Sequence, residues 1–229
     1  MERAGKPALF LARSERWPES GHVSYTLPVT RILLATNNPG KVREFRRLIA
    51  GSGFEAVTPA EIGLSLEVEE TGGSYEENAL LKATAFARAG NCLALADDSG
   101  IEVDALSGGP GMYSARYGGA ELDDDGRTAL LLKETSATAD GDRGARYRAV
   151  VAVSWPVGDG AFESARFEGV QEGTLARQPS GAEGFGYDPI FLVARGRTQA
   201  ELSAEEKDAV SHRGHAVRKA LEFLRVKFG

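Results

Sequence analysis

Arg31-Ile-Leu-Leu-Ala-Thr-Asn-Asn-Pro-Gly-Lys41 is the stretch of sequence that decides the fold. The apolar run over 31–36 predicts a buried strand, and residues 36–41 have the composition of a turn. Apolar residues then recur at helical spacing, at Val42, Phe45, Leu48 and Ile49, and Gly51 is expected to end this helix. The stretch therefore predicts a strand, a loop and a helix in succession.

The rest of the chain alternates between strand and helix signals. Short apolar or alternating runs predict strands at 93–96, 101–104, 147–154, 165–170 and 189–193. Capping boxes predict a helix from Ser74 and Glu77 to Gly90 and a short one after Ser203 and Glu206. Further helices are predicted over 127–134 and from Ser211 to the end, the last with Val217, Leu221 and Leu224 facing inward. Because strands and helices interleave, the sequence favours an α/β fold over an all-α or all-β fold.

The bulk composition excludes several classes of protein. The chain has 229 residues and a net charge of −6, so no global basic field is available to hold a nucleic acid. Cys92 is the only cysteine, which excludes an intramolecular disulfide and a Cys-based zinc site and favours the cytoplasm. No run approaches the about 18 apolar residues of a membrane span. Residues 1–28 lack periodicity and predict a flexible extension, or too early a start codon, before a single domain over 29–229.

The loop from Thr36 to Lys41 is a candidate phosphate site. It lies between a predicted strand and a helix N-terminus, where free amides and the helix dipole attract anions, and Lys41 adds a positive charge. It is not a Walker loop, because Ala35 and Val42 stand where that pattern needs Gly and Ser or Thr. A tight turn with a surface lysine is the structural alternative.

Two acidic pairs are candidates for a metal site. Residues 97–100, Asp-Asp-Ser-Gly, are interpreted as an acidic turn that separates two strands, and only one of Asp97 and Asp98 is expected to enter a cleft. A carboxylate there could bind a hard cation such as magnesium and activate a water molecule. Glu69 and Glu70 could supply a second acid. A plain Asx turn and a solvated glutamate pair are the alternatives.

Three further segments could contact a ligand. Gly108-Gly-Pro-Gly111 precedes Tyr113, Arg116 and Tyr117 and could also be an ordinary hairpin connection. In Gly184-Phe-Gly-Tyr-Asp-Pro189, glycines allow close approach, Phe185 offers a stacking face, and Asp188 offers an acceptor for purine hydrogens. Lys207, His212 and Arg213 lie near two predicted helix starts, where they could converge on one anionic or carbonyl group.

Six motifs resemble those of the inosine triphosphate pyrophosphatase, or noncanonical purine NTP pyrophosphatase, family. They occur in family order and cover the chain from about Arg31 to its end. The motifs are Ala35-Thr-Asn-Asn-Pro-Gly-Lys41, Glu69-Glu-Thr-Gly-Gly-Ser-Tyr-Glu-Glu-Asn-Ala79, Ala96-Asp-Asp-Ser-Gly100, Gly109-Pro-Gly-Met-Tyr-Ser-Ala-Arg-Tyr117, Gly184-Phe-Gly-Tyr-Asp-Pro-Ile-Phe191 and Glu206-Lys-Asp-Ala-Val-Ser-His-Arg213.

The resemblance implies a role for each matching residue. The triphosphate would be held by Thr36, Asn37, Asn38, Pro39, Gly40, Lys41 and Lys82, with Ser99 beside it. Glu69 and Asp98 would bind Mg²⁺, and Asp98 would also be the catalytic base. The purine would be bound by Phe185, Gly186, Tyr187, Asp188, Lys207, His212 and Arg213.

The resemblance also implies a fold and an activity. The expected structure is an elongated, mixed-sheet α/β fold in two lobes with the cleft between them, usually a homodimer. The expected reaction is Mg²⁺-dependent cleavage of ITP, dITP or XTP into the monophosphate and pyrophosphate. Cationic donors would favour the purine 6-carbonyl over the adenine amino group, since an unpaired buried donor costs roughly 1–3 kcal/mol. A pyrophosphatase for modified pyrimidine or methylated nucleotides and a non-catalytic nucleotide-binding module are the alternatives.

Overall fold

Six strands form one mixed sheet in the computed structural model, which describes residues 30–193 and 196–228. The strands are β1 (Thr30–Leu34), β2 (Phe54–Val57), β3 (Ala94–Val103), β4 (Gly144–Gly158), β5 (Ala161–Leu175) and β6 (Phe191–Leu192). Their order is β2-β1-β3-β4-β5-β6, with β1 parallel to β2 and β3 and the other neighbours antiparallel. The predicted mixed-sheet α/β class is confirmed. The extension predicted over residues 1–28 lies outside the described residues.

Five α-helices lie within the described residues. They are α1 (Pro39–Ile49), α2 (Tyr75–Gly90), α3 (Asp124–Glu134), α4 (Ala204–Val210) and α5 (His212–Phe228). All five were predicted, and α5 buries Val217, Leu221 and Leu224 as expected. No helix within the described ranges combines the length and the apolar character that a membrane span requires.

Two hydrophobic clusters lie on opposite faces of the sheet. Ile32 and Leu34 of β1 pack with α1 and α5 in one cluster, whereas Leu33 packs with α2 in the other. This alternation follows from the two-residue period of a strand. Because both faces are covered, the three buried residues of β1, Ile32, Leu33 and Leu34, are all apolar, which is why its signal in the sequence is so clear.

The short length of β1 positions the site. β1 pairs with β3 only through Leu33–Ala94 and Leu34–Leu95, so one edge of β3 is free of β1 from Ala96 onward. The loop that leads into α1 therefore opens beside the middle of β3. Ligands of α/β sheets bind at the carboxyl ends of parallel strands, and β1 ends at this point. A third hydrophobic cluster, built on Ile101, Tyr147 and Phe191, closes the far end of β3.

The prediction of an acidic turn over residues 97–100 is wrong. β3 continues without interruption through all four residues, and β4 pairs with it from Ala94 to Val103. Carboxylates and glycine are unfavourable inside an isolated strand, but here the charges of Asp97 and Asp98 are compensated by side chains from other elements. The neighbouring residues do point to opposite faces, as expected.

β2 was not predicted, because its four residues, Phe54–Val57, are too few to show a period.

The capping box at α2 is only half formed. Ser74 Oγ accepts from the Glu77 amide, but the Glu77 carboxylate accepts from the Gly73 amide at 2.6 Å instead of from Ser74. The second box, between Ser203 and Glu206, is complete.

Gly100→Ala should destabilise the protein. A methyl group at Gly100 would meet the Gly111 carbonyl oxygen and would lie 2.7 Å from Ser114 Oγ. We expect the free energy of unfolding in urea to fall by about 1–3 kcal/mol, the usual cost of overpacking. Gly141→Ala is the control, because no heavy atom lies within 4 Å of that position. Equal unfolding midpoints for the two variants would contradict this packing argument.

Candidate active site

The loop before α1 is organised by Asn38. Its Oδ1 accepts from the amides of Gly40 at 2.8 Å and Lys41 at 3.1 Å, and the Asn38 amide donates to Thr36 Oγ1 at 3.2 Å. Pro39 follows as the first helical residue, where its missing N–H costs nothing. The first amides of α1 are thus capped by the protein itself, and Lys41 supplies the charge of this loop.

Asp97 lies on the α1 and α5 side of β3 and is a buried counter-ion. Its Oδ1 is 2.9 Å from Lys41 Nζ, and its Oδ2 is 2.9 Å from Arg213 Nη2. Burial alone would raise the pKa of Asp97, but the charges of Lys41 and Arg213 hold it far below its usual range. Asp97 therefore stays ionised and serves to place two cations.

Asp98 lies on the α2 side of the same strand, in a different environment. Asn78 Nδ2 donates to its Oδ2 at 3.1 Å, the Ser99 amide donates to its Oδ1 at 3.0 Å, and Lys82 Nζ is 3.7 Å from Oδ1. Burial raises the pKa of Asp98 in spite of the nearby Lys82. A carboxylate that is held in place and has a raised pKa is suited to accept a proton.

Glu70, and not Glu69, contacts the cations beside Asp98. Glu70 Oε1 is 2.6 Å from Lys82 Nζ, and its Oε2 is 3.4 Å from Arg116 Nη1. Glu69 is exposed, and its side chain forms no ion pair or hydrogen bond within residues 30–193 and 196–228. The pairing of Glu69 with Asp98 around an ion stays a prediction. The same ranges contain no cluster of three or more His, Cys, Asp or Glu side chains placed to hold a metal.

The base loop, residues 184–188, reaches across to α1. Gly184 and Gly186 have φ of 84° and 62°, which only glycine adopts without strain. The ring of Phe185 between them lies so close to Gly40 that a methyl group there would be 2.7 Å from Phe185 Cδ1. The predicted phosphate and base segments are therefore adjacent in space.

The cations predicted to bind the purine meet under Phe185. Lys207 Nζ is 5.1 Å and the Arg213 guanidinium carbon 5.7 Å from the centre of its ring, which suits cation–π attraction. Asp188 was predicted as an acceptor for purine hydrogens. In the structure its buried carboxylate already accepts from Lys207 Nζ at 2.6 Å and from the Phe185 amide at 2.9 Å. Asp188 thus stabilises the base loop itself.

His212 has an unusual buried environment. Its ring stacks on Tyr147 with centroids 4.6 Å apart and an angle of 11°. Burial holds the pKa of His212 well below its ordinary value, so the ring is neutral. Its Nδ1 is buried and has no hydrogen-bond partner within the described residues. A buried nitrogen without a partner marks a position where a ligand atom can bind.

Glu44 is a site residue that sequence reasoning missed. Its carboxylate lies between Lys207 Nζ, at 2.6 Å, and Arg213 Nη1. It completes a buried chain of alternating charges that we call the ionic chain, consisting of Lys41, Asp97, Arg213, Glu44, Lys207 and Asp188. A signal was present, because Glu44 shares the apolar face of α1 with Lys41, Phe45 and Leu48 at helical spacing.

A sequence profile of the Ham1 family matches residues 32–223, a span that contains every predicted site residue. The chain belongs to the Ham1 family. The resemblance seen in the six motifs is thereby confirmed, and the Ham1 relatives described next extend over nearly the same span.

The Ham1 relatives include bacterial proteins named dITP/XTP pyrophosphatase. That of Bacillus subtilis (strain 168) is 45% identical over 193 residues, covering 84% of this chain and 96% of the relative. That of Symbiobacterium thermophilum is 50% identical over 197 residues, covering 85% of this chain and 94% of the relative. Among solved structures, the Staphylococcus aureus Ham1 protein superposes with a TM-score of 0.74 at 39% identity, covering 86% of this chain and 100% of that chain. The dITP/XTP pyrophosphatase from Mycobacterium abscessus superposes with a TM-score of 0.64 at 45% identity, covering 85% of this chain and 98% of that chain.

Glu44→Gln should weaken the fold and change its acid sensitivity. Burial alone would raise the pKa of Glu44, but Arg213 and Lys207 lower it from 4.5 to about 2. Because the folded-state pKa is depressed, its stabilisation is complete above pH about 4.5 and is lost as the pH falls through about 2, in total about 3 kcal/mol. We expect the variant to lose about 3 kcal/mol of unfolding free energy at pH 7 and to show a flatter acid limb.

Glu121→Gln, at an exposed glutamate, is the control. Urea unfolding at several pH values between 2 and 7 measures both effects. An acid limb as steep in Glu44→Gln as in the control would show that Glu44 does not carry the linkage.

Proposed function

We propose that this protein hydrolyses noncanonical purine nucleoside triphosphates, such as dITP, ITP and XTP, to the monophosphate and pyrophosphate. The names of the Ham1 relatives support the substrate class. The observation that carries the reaction type is Asp98, a carboxylate with a pKa raised by burial that lies beside Lys82. This placement fits a base that activates water next to bound phosphates.

The proposed reaction is an attack of water on the α-phosphorus. A water oxygen forms a bond to the α-phosphorus, and a carboxylate oxygen of Asp98 takes the proton that this water releases. The bond between the α-phosphorus and the oxygen that bridges to the β-phosphorus breaks, and pyrophosphate leaves with the electron pair. Asn78 orients the carboxylate through its 3.1 Å hydrogen bond. Lys82 and Lys41 offer positive charge to the triphosphate from the two faces of β3.

A magnesium ion fits the carboxylates of this site. Asp98 Oδ1 and Glu70 Oε1 lie 3.7 and 2.6 Å from Lys82 Nζ, and Glu69 adjoins Glu70 in the sequence, so the carboxylates here outnumber that ammonium group. Mg²⁺ prefers oxygen ligands and keeps several waters, so two carboxylates are sufficient. When bound, it would neutralise phosphate charge and polarise the α-phosphorus. We propose Asp98 and Glu69 as its ligands, because Glu70 is already engaged by Lys82 and Arg116.

The buried side chains under Phe185 support selection of a 6-oxo purine. His212 Nδ1 has no partner within the described residues and can donate to a carbonyl oxygen, while the neighbouring Arg213 adds a permanent positive charge. The 6-amino group of adenine would meet donors there and leave them unpaired. The stacking face of Phe185 accepts either base, so discrimination rests on these donors and not on stacking.

We further propose a homodimer that acts in the cytoplasm on free nucleotides, as the resemblance implies. The net charge of −6 supports a small-molecule substrate, because a nucleic-acid backbone requires a broad basic surface. Only two lysines, Lys41 and Lys82, are proposed to face the phosphates, which suits a single triphosphate.

Asp98→Asn should abolish turnover while leaving the fold intact. Asparagine has nearly the same shape but cannot accept the proton, so we expect kcat to fall roughly 10²–10⁴-fold. The assay measures pyrophosphate release from dITP and XTP with Mg²⁺, and circular dichroism checks the fold. Asp142→Asn, at an exposed aspartate, should keep wild-type rates. Release of single phosphates by the wild type would refute the proposed function.

Glu69→Gln should raise the magnesium requirement. Loss of one carboxylate ligand is expected to increase the Mg²⁺ concentration for half-maximal rate by at least about tenfold. Glu70→Gln is the matched comparison, and it should leave the magnesium requirement near that of the wild type, because Glu70 is held by Lys82 and Arg116. If only Glu70→Gln raised the magnesium requirement, Glu70 would be the ligand and the assignment of Glu69 would be wrong.

A further inference from the structure

The first turn of α3 holds the backbone of the base loop. The Gly186 amide donates to Asp124 Oδ2 at 2.9 Å, and Thr128 Oγ1 donates to the Gly186 carbonyl oxygen at 3.4 Å. Arg127 Nη1 donates to Asp124 Oδ1 at 3.1 Å, so both carboxylate oxygens of Asp124 are engaged. Asp124 is thus fixed on its own helix and bonded to a loop 62 residues further along the chain.

The base loop needs such an external anchor. Glycines at 184 and 186 flank Phe185 and leave its backbone with more conformational freedom than any other residue type would. Inside the loop, the Phe185 amide is held by Asp188 at 2.9 Å. On the far side of Phe185, the Gly186 amide is held by Asp124. Together these two carboxylates bracket the residue whose ring lies over Gly40 and the cations of the ionic chain.

Three consecutive aspartates at this helix start have different contacts. Asp123 caps α3 by accepting from the Gly126 amide at 2.8 Å. Asp124 bonds to the base loop. Asp125 is exposed, and its side chain forms no hydrogen bond or ion pair within residues 30–193 and 196–228. Because Asp124 and Asp125 contribute equally to the charge of the first turn, a difference between their variants isolates the contact with Gly186.

We propose that Asp124 is a positioning residue for base recognition, which holds Gly186 and thereby keeps the Phe185 ring where a purine stacks. The inference rests on the proposed function for the identity of the ligand. Asp124 acts through the loop and not on the reacting atoms. Its loss should therefore weaken binding of the base while the chemistry on the α-phosphorus is unchanged.

Direct binding measurements test this role without turnover. In an Asp98→Asn background, calorimetry compares ITP with inorganic tripolyphosphate, which lacks the base. We expect Asp124→Ala to weaken ITP binding about tenfold, as for loss of a charge-assisted hydrogen bond, and to leave tripolyphosphate binding unchanged or tighter. Asp124→Asn, whose Oδ1 can still accept from Gly186, should recover most of the affinity. Asp125→Ala should bind both ligands with the affinity of the Asp98→Asn parent.

Steady-state kinetics in the otherwise wild-type enzyme give a second readout. Asp124→Ala should raise the KM for dITP about tenfold with kcat within about twofold, the pattern of lost binding without lost chemistry. A general loosening of the fold would instead lower kcat and weaken the binding of both ITP and tripolyphosphate.

Two results would overturn the inference. One is equal ITP affinity in Asp124→Ala and Asp125→Ala, and the other is an equal loss for ITP and tripolyphosphate in Asp124→Ala. Failure of the proposed function gives a different result, in which the wild type binds ITP but releases no pyrophosphate, and the comparison of variants still decides the role of Asp124. Absence of ITP binding in the parent would overturn both.

Discussion

Buried charges must be paired, and in this protein that requirement joins the two ends of the site. The ionic chain begins at Lys41, beside the predicted phosphate loop, and ends at Asp188 in the base loop. Its members come from α1, β3, α4, α5 and the base loop, so each pairing fixes one element against another. Removing one partner from such a chain leaves an uncompensated buried charge, which is far more costly than losing a surface ion pair. The ionic chain thus constrains the relative positions of these elements around the site.

Strand β3 divides this charged interior into two environments. Asp97 faces two cations and its pKa falls, whereas Asp98 faces a less compensated surrounding and its pKa rises. Adjacent residues of one type thereby acquire different chemistry from the side of the sheet that they occupy. Pairs of acids whose pKa values are driven apart in this way are typical of sites where one acid holds charge and the other moves a proton.

The elements that carry a strong local signal were predicted well. The apolar run of β1, the caps at Ser74 and Ser203, and the inward face of α5 each follow from residues close together in the chain. The path of β3 through residues 97–100 could not be predicted, since it depends on cations contributed by α1, α2 and α5. Glu44 was missed for the same reason, because its partners Lys207 and Arg213 lie more than 160 residues away. The choice between Glu69 and Glu70 likewise depends on where Lys82 lies in space.

The placement of Asp98 in the middle of a paired strand has an evolutionary consequence. Its backbone is fixed by β4, while the glycine-rich segment around Phe185 is held mainly by the side chains of Asp124, Thr128 and Asp188. Substitutions in the segment around Phe185 would change how a nucleobase is held without displacing Asp98, the carboxylate proposed to activate water. Related proteins can therefore change substrate preference through substitutions around Phe185, while Asp98 and its surroundings stay the same.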